Sequence, residues 1–462
     1  MNINEDLQAT TRRSSLIFIL KISGVAAIGG LLFGYDTAVI AGVIGYLKIK
    51  FSLSPAMEGW AASSAIWGCI IGAMFAGYIS DRIGRKKALF ITAILFLVSS
   101  ITAAIASDLT QFIFARIIGG IGIGAASMLS PLYISEIAPA KRRGTLVSLY
   151  QLAIVIGINL IYFVNLKIAA YDTEAWAVEY GWRYMLASGV LPALLFFILL
   201  FFVPESPRWL VKKNRPDEAL DILNKVNGEK EAKIVLQEIN DALSHETGTI
   251  KELFRPGLRL AMIVGIVLAL FSQITGINAI IYYAPEIFKS IGFGAESALL
   301  QTVIIGLVNT IFTFVAIWLI DIAGRKSLLL WGVSGMILSL FAIGLCYHFN
   351  FTNGPWLLIF IMCYIASFAS SLGPIPWVII SEIFPTKTRG IAMSFATVVL
   401  WIGVVLITQL TPLMLKFIGG AITFWIFMIN AIILLIFTWK VIPETRQRTL
   451  EEIELSWKIK SK

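Results

Sequence analysis

Residues 22–47 read ISGVAAIGGLLFGYDTAVIAGVIGYL. At about 1.5 Å per helical residue, this stretch is long enough to cross a hydrocarbon core of about 30 Å. It is apolar or small almost throughout, apart from Asp36 near its middle. Burying a carboxylate at that depth costs roughly 2.5–3.5 kcal/mol on insertion scales, so such a residue faces a bundle interior or a wet path and has a partner. One other formal charge lies well inside an apolar segment: Arg116, in LTQFIFARIIGGIGIGAASMLSPLYI at 109–134. Asp36 and Arg116 are therefore expected to pair. Two readings stay open, a static ion pair that fixes helix packing and a titratable site on an ion path.

Of the 462 residues, 58% are hydrophobic and 14% charged. Soluble domains run nearer 25% charged. The many apolar runs of membrane-spanning length point to an all-α membrane protein that crosses the bilayer repeatedly. Twelve spans are expected at 22–47, 58–80, 88–107, 109–135, 144–168, 184–203, 257–288, 298–320, 327–348, 355–384, 391–417 and 420–442. They divide into an N-terminal bundle (1–203), a charged cytoplasmic linker (204–256), a C-terminal bundle (257–442) and a tail (443–462). Within the linker, PDEALDILNKVN (216–227) and KEAKIVLQEINDAL (230–243) are amphipathic at helical period and predict short surface helices.

The net charge of +9 follows the loops. Thirty of the 37 Lys and Arg residues fall on the side of the two termini, six on the other side, and Arg116 lies within a span. By the positive-inside rule both termini are cytoplasmic, so the basic balance reports topology and gives no reason to expect a nucleic-acid partner. Cys69, Cys346 and Cys363 all lie in apolar segments and read as small core residues, with neither disulfide nor metal spacing. No nucleophile–base pair, phosphate loop or metal motif marks an enzyme, and no cofactor is expected.

The two halves carry the same signposts in the same order. GYISDRIGRKK (77–87) is matched by WLIDIAGRKSL (318–328), SEIAPAKRRG (135–144) by SEIFPTKTRG (381–390), and PESPRW (204–209) by PETRQRTLEEIE (443–454). A six-span repeat means two similar bundles, with a site between them near the midplane. The motifs place Asp81, Arg85, Glu136, Arg143, Glu205 and Arg208 in the first half at inner helix ends, and Asp321, Arg325, Glu382, Arg389, Glu444 and Arg448 in the second. These charges are expected to form a cytoplasmic gate. Exposed pairs are worth only about 0–1 kcal/mol each, which suits a latch between two states of similar energy.

From FGYD (33–36) to PETRQRTLEEIE, the chain resembles the sugar porter family of the major facilitator superfamily. The resemblance implies a carrier that imports a monosaccharide, pentose or hexose, by alternating access from the cell or inner membrane, as a monomer. It also implies site residues. Gln151, Gln273, Asn278, Tyr282, Asn309, Trp377 and Trp401 match sugar-binding positions of the family, and Phe33 matches an aromatic lining position. Amide groups both donate to and accept from hydroxyls, and aromatic faces cover the apolar side of a sugar ring. In LALFSQITGINAIIYYAPEIF (268–288), several of these groups surround Gly276, where the helix can open.

Four positions depart from the pattern: Ser272 stands where a first glutamine is usual, Leu400 where Gln or Asn often precedes the tryptophan, Gly189 where some xylose carriers have glutamate, and Ile158 where the xylose type has a second glutamine. Asp36 matches the aspartate of proton-coupled members, which implies symport with protons as the coupling ion. The alternatives are a facilitative uniporter, in which Asp36 and Arg116 are purely structural, and a sugar sensor that does not transport.

Overall fold

The computed structural model describes residues 3–139, 143–244, 256–290, 292–352, 355–384 and 386–444, and every regular element among them is helical. The spans are Ile3–Lys50, Pro55–Ile83, Arg85–Ala104, Leu109–Ile137, Arg143–Ala169 and Glu174–Phe202 in the first half. In the second half, span 7 is split into Pro256–Ile274 and Ile277–Ser290, and span 10 into Pro355–Ala369 and Ile375–Ile383. Between and after them lie span 8 (Ala295–Ala323), span 9 (Arg325–His348), span 11 (Thr386–Phe417) and span 12 (Gly419–Lys440). Among the described residues, eleven helices are long and apolar enough to cross a membrane, and the two pieces of span 10 supply the twelfth crossing.

Spans 1 and 6 begin earlier than expected, span 1 at Ile3, and the linker holds one helix more than expected. Span 6 begins ten residues earlier than expected, at Glu174. Its first turns contain Glu174, Glu179 and Gly181, which read as loop, but Ala177–Gly181 forms a wide π-type turn that continues the helix. Span 10 breaks where Pro374 and Pro376 remove two backbone donors. The linker holds the two expected helices, at Pro216–Asn227 and Glu229–Ser244, and a third at Pro207–Lys212.

Glycine lets the first half pack closely. On spans 2 and 4, Gly68 and Gly72 face Gly120 and Gly124, and a Cβ at any of them would fall 1.8–2.2 Å from a backbone oxygen of the facing helix. Helices in lipid associate through such small-residue contacts, because the solvent is itself apolar. Spans 1 and 5 meet in the same way through Gly34 and Gly157.

Where the halves meet, span 2 packs on span 11 and span 5 on span 8. The repeat exchanges span 2 with 8 and span 5 with 11, so these are two copies of one interface. Span 1 also meets the second piece of span 7. Large apolar side chains such as Phe114, Leu191, Trp318 and Leu338 are exposed around the outside. That belt would be an aggregation surface in water and is ordinary against lipid.

Candidate functional site

Asp36 and Arg116 pair. Arg116 Nη1 donates to Asp36 Oδ1 at 2.7 Å, and Nη2 donates to the Asp36 backbone carbonyl at 2.8 Å. The pair is sealed, with Asp36 8% and Arg116 2% exposed. Asp36 Oδ2 has no hydrogen-bond partner among the described residues. Tyr282 of the second half faces the pair. It lies close to the Thr37 side chain and to Asp36, Arg116 and Cys69. Thr37 is itself anchored, donating to the Phe33 carbonyl at 2.7 Å.

Span 7 opens where it was expected to. Gly276 has φ +99°, in the left-handed region, and a Cβ there would lie 2.4 Å from the Phe427 ring. Both facts require glycine. Opening a helix in a membrane frees carbonyls that no water can satisfy. Here Asn430 Nδ2 donates to Ile274 O at 2.9 Å, and the Tyr364 hydroxyl donates to Thr275 O at 3.0 Å. The break is thereby held as a fixed feature.

The break also brings the amides together. Asn278 Nδ2 donates to Gln273 Oε1 at 2.6 Å, and Gln273 Nε2 donates to Ser272 Oγ at 3.0 Å. Ser272 thus orients Gln273 and does not extend beside it. Trp401 meets Phe33 of the first half, with ring centroids 5.4 Å apart and planes at 47°. Trp401 Nε1 is buried without a partner among the described residues.

Gln151 and Asn309 make no side-chain hydrogen bond among the described residues, yet their amides are not among the sealed, unpartnered groups. Polar atoms that are neither bonded nor sealed face reachable space. Trp377 is half-buried beside the span 10 break. Its span 10 piece packs on the first piece of span 7, and Trp377 makes no side-chain hydrogen bond or aromatic contact with the span 7 cluster among the described residues. Beside Gly189, Ser100 Oγ occupies the place where a larger side chain would begin, 2.8 Å from a Cβ built there.

The motif charges form one assembly in each half. Glu205 accepts from the backbone N–H of Arg85 at 2.8 Å and of Lys86 at 3.1 Å, at the N-terminus of span 3. Glu444 repeats this on Arg325 and Lys326 at 3.0 and 3.1 Å, at the N-terminus of span 9. A carboxylate there satisfies orphan donors and meets the positive end of the helix dipole. Burial outweighs the hydrogen bonds at Glu205 and leaves its carboxyl above the ordinary glutamate range. Gly84 and Gly324 precede the caps with φ +102° and +86°, and a Cβ on either would strike the capping carboxylate.

Arg85 holds Glu136 through Nε and Nη2 at 2.9 and 3.0 Å and Asp81 through Nη1 at 2.7 Å. Arg325 Nη2 donates to Glu382 at 3.1 Å. Each of these described pairs joins groups of one half. The expected bridges between halves involve side chains outside the described part, those of Arg143, Asp321 and Arg389, as does the whole of Arg448. Arg208 lies on the short helix Pro207–Lys212, whose Trp209 donates to Asp81 O at 3.0 Å.

At the end remote from the Gly-Arg-Lys loops, the halves are tied directly. Ser63 Oγ and Gln409 Oε1 are 2.7 Å apart, and Gln409 Nε2 donates to Ala56 O at 3.2 Å. Asn159 Nδ2 donates to Val303 O at 3.2 Å, and the Tyr162 hydroxyl to Ile281 O at 2.6 Å. Glu58 is buried with Lys48 at 2.9 Å. None of these residues stood out in the sequence, because an Asn, Gln or Ser within a span usually serves ordinary packing.

Two six-helix bundles, a broken helix at the midplane and a buried ion pair beside it define a membrane transporter of the major facilitator fold. Over residues 22–457 the chain matches the family described as sugar (and other) transporter, and it belongs to that family. It is 47% identical over 448 residues to the arabinose-proton symporter of Bacillus subtilis, with 97% of each chain covered. It is 40% identical over 479 residues to the D-xylose-proton symporter of Escherichia coli, covering 96% of this chain and 97% of that one. Among solved structures, the inward open xylose transporter XylE of Escherichia coli superposes with a TM-score of 0.84 at 40% identity, over 95% of this chain and all of that one.

Proposed function

We propose that the protein imports a monosaccharide together with a proton, by alternating access across the cell membrane, as a monomer with both termini in the cytoplasm. The observation that carries the reading is the sealed Asp36–Arg116 pair, beside which lies Tyr282, on the same helix as Asn278 of the span 7 amide cluster. Relatives named as arabinose- and xylose-proton symporters support a pentose as the first substrate to try.

The sugar hydroxyls engage Gln151, Gln273, Asn278, Asn309 and the free Trp401 N–H, while Phe33, Tyr282 and Trp377 line the pocket. With Asp36 ionised, Arg116 is neutralised by it. A proton arriving from outside removes that charge, yet Arg116 keeps its grip on the Asp36 backbone carbonyl, so span 1 stays anchored while the side chains are released. Tyr282 senses both events, since it sits among the sugar groups and beside the pair. The two units, 1–203 and 257–442, then rock about the sugar, with the linker 204–256 and the tail 443–462 on the cytoplasmic side. The ties at Gln409 and Asn159 close the outer side.

The test is uptake of labelled L-arabinose and D-xylose into proteoliposomes with an imposed pH gradient, competed by unlabelled pentoses and hexoses. Accumulation should follow the gradient and collapse with a protonophore. Uptake that equilibrates but never accumulates would instead assign a facilitative carrier.

A further inference from the structure

Arg116 takes only one oxygen of the Asp36 carboxylate. The other, Oδ2, lies against Gly119, one helical turn beyond Arg116 on span 4: a Cβ built on Gly119 would sit 3.4 Å from it. The same Cβ would sit 2.3 Å from Ser99 Oγ and 2.9 Å from Ser99 Cβ, on span 3. Asp36 Oδ2 and Ser99 Oγ thus share the space left by a missing side chain. Both are deeply buried, Ser99 being 1% exposed, and both lack a partner among the described residues.

Helical serines and threonines commonly satisfy the hydroxyl by donating back to their own helix. Ser64, Ser80, Thr92, Ser127 and Ser135 in this half all do so, at 2.7–3.0 Å. Ser99 does not. A buried hydroxyl left unused costs free energy unless some state of the protein uses it. The nearest unused acceptor across Gly119 is the free oxygen of the aspartate.

We propose that Ser99 is a positioning residue for the coupling carboxylate: across Gly119 its hydroxyl serves Asp36 Oδ2, directly or through one water, when Asp36 is ionised. The proposal rests on the reading that Asp36 carries the proton. It assigns the two oxygens different tasks. Oδ1 holds Arg116 and couples to the rest of the bundle. Oδ2 is the oxygen on the Ser99 side, which Arg116 does not engage, and it is where the proton goes on and off. Gly119 is what makes this division possible, since any side chain there would part the two groups.

The other groups around the carboxylate are Arg116 from span 4, Cys69 from span 2 and Tyr282 from span 7. On the other elements packed against span 1, Tyr162 of span 5 donates to the Ile281 carbonyl and Ser188 of span 6 pairs with the Tyr35 hydroxyl. Ser99 is thus the neutral donor on the free side of the site.

Removing a donor to a carboxylate favours its protonated form. In proteoliposomes, Ser99→Ala should move the outer pH for half-maximal gradient-driven uptake of labelled D-xylose or L-arabinose upward by about one unit. Equilibrium exchange affinity should stay within about twofold, because the amide cluster is untouched. Ser99→Thr, which keeps the hydroxyl, should restore the wild-type profile. A Ser99→Ala profile that coincides with wild type, or that only falls in amplitude at every pH, overturns the proposal. Asp36→Asn, run alongside, separates the two readings. If Asp36→Asn loses accumulation while Ser99→Ala changes nothing, the proton site stands and the role of Ser99 falls. If Asp36→Asn still accumulates sugar, both fall.

Discussion

Arg116 holds Asp36 at two places, the carboxylate at 2.7 Å and the backbone carbonyl of the same residue at 2.8 Å. The first bond depends on the charge of Asp36 and the second does not. Protonation of Asp36 removes the charge from the first bond, leaving a weaker neutral acceptor, and leaves the second bond as it is.

Asp36→Asn separates coupling from carriage. The amide cannot titrate, but its oxygen still accepts from Arg116 and the backbone bond is unchanged. Uphill accumulation should fall to the equilibrium level, while exchange of labelled for unlabelled sugar persists. Arg116 is then left without its counter-charge, at a cost of about 3–5 kcal/mol, so the variant should also unfold at lower temperature in detergent. Accumulation ratio, exchange rate and midpoint, measured on one preparation, check all three.

Trp401 has two separable roles. Its ring meets Phe33 across the boundary between halves, and its buried N–H awaits an acceptor. Trp401→Phe keeps the ring and removes the donor, so the KM for sugar should rise about tenfold, the worth of one hydrogen bond. Trp401→Ala removes both and should also reduce the maximal rate, since the halves lose an aromatic contact of about 0.5–1.5 kcal/mol. Equal effects from the two variants would show that the N–H contributes nothing.

Gly276→Ala tests the span 7 break. The left-handed backbone costs a side chain roughly 1–3 kcal/mol, and the Phe427 ring occupies the site where the Cβ would go. Both thermal stability and sugar affinity should drop, because Gln273 and Asn278 flank the break. Gly276→Ala combined with Phe427→Leu should recover part of the stability, the part owed to the ring, and leave the backbone strain.

Glu205 and Glu444 predict a symmetric result. Replacing either with Gln weakens the cap on a span by about 1–2 kcal/mol, and the two losses should be similar because the geometry repeats. Glu205→Gln should also differ in pH dependence from wild type. Burial raises the Glu205 carboxyl, so the folded state takes up its proton more readily than the unfolded chain. Its contribution is complete below the ordinary glutamate range and declines as pH rises through the raised value. Subtracting Glu205→Gln midpoints from wild-type midpoints, pH by pH, should expose that slope.

The fold was legible because membrane spans are long, uniform and repeated, and because Asp36 and Arg116 are conspicuous against an apolar background. The span 7 break was legible from Gly276 among amides. What escaped were the distant contacts of residues that look ordinary in sequence. Nothing local to Ser99 or Gly119 reports that they meet Asp36, and nothing in PESPRW reports that its glutamate caps a helix 120 positions earlier. The motif charges look alike in sequence. Only the geometry separates Glu205, which caps, from Glu136, which pairs with Arg85. Span 6 started early because a π-type turn tolerates the glycine and charges that normally end a helix.

Gln409 is the clearest handle on the outer closure. It reaches from span 11 to two points on span 2, the Ser63 hydroxyl and the Ala56 carbonyl. Opening the outer side would separate spans 2 and 11 and break these bonds, so they are expected to favour the closed state. Gln409→Leu removes both and keeps the bulk. At about 0.5–1.5 kcal/mol per bond, the outward-facing population should rise roughly five- to a hundredfold. The rise is readable as faster alkylation of Ala62→Cys, at a buried span 2 position near this contact, measured above the background of the three native cysteines. Transport should slow if inward opening becomes the rate-limiting step, and sugar affinity measured from outside should improve, because less binding energy is spent on reaching the outward state. An unchanged alkylation rate would show that the closure is carried by the packing of spans 5 on 8 and 1 on 7 and not by these bonds.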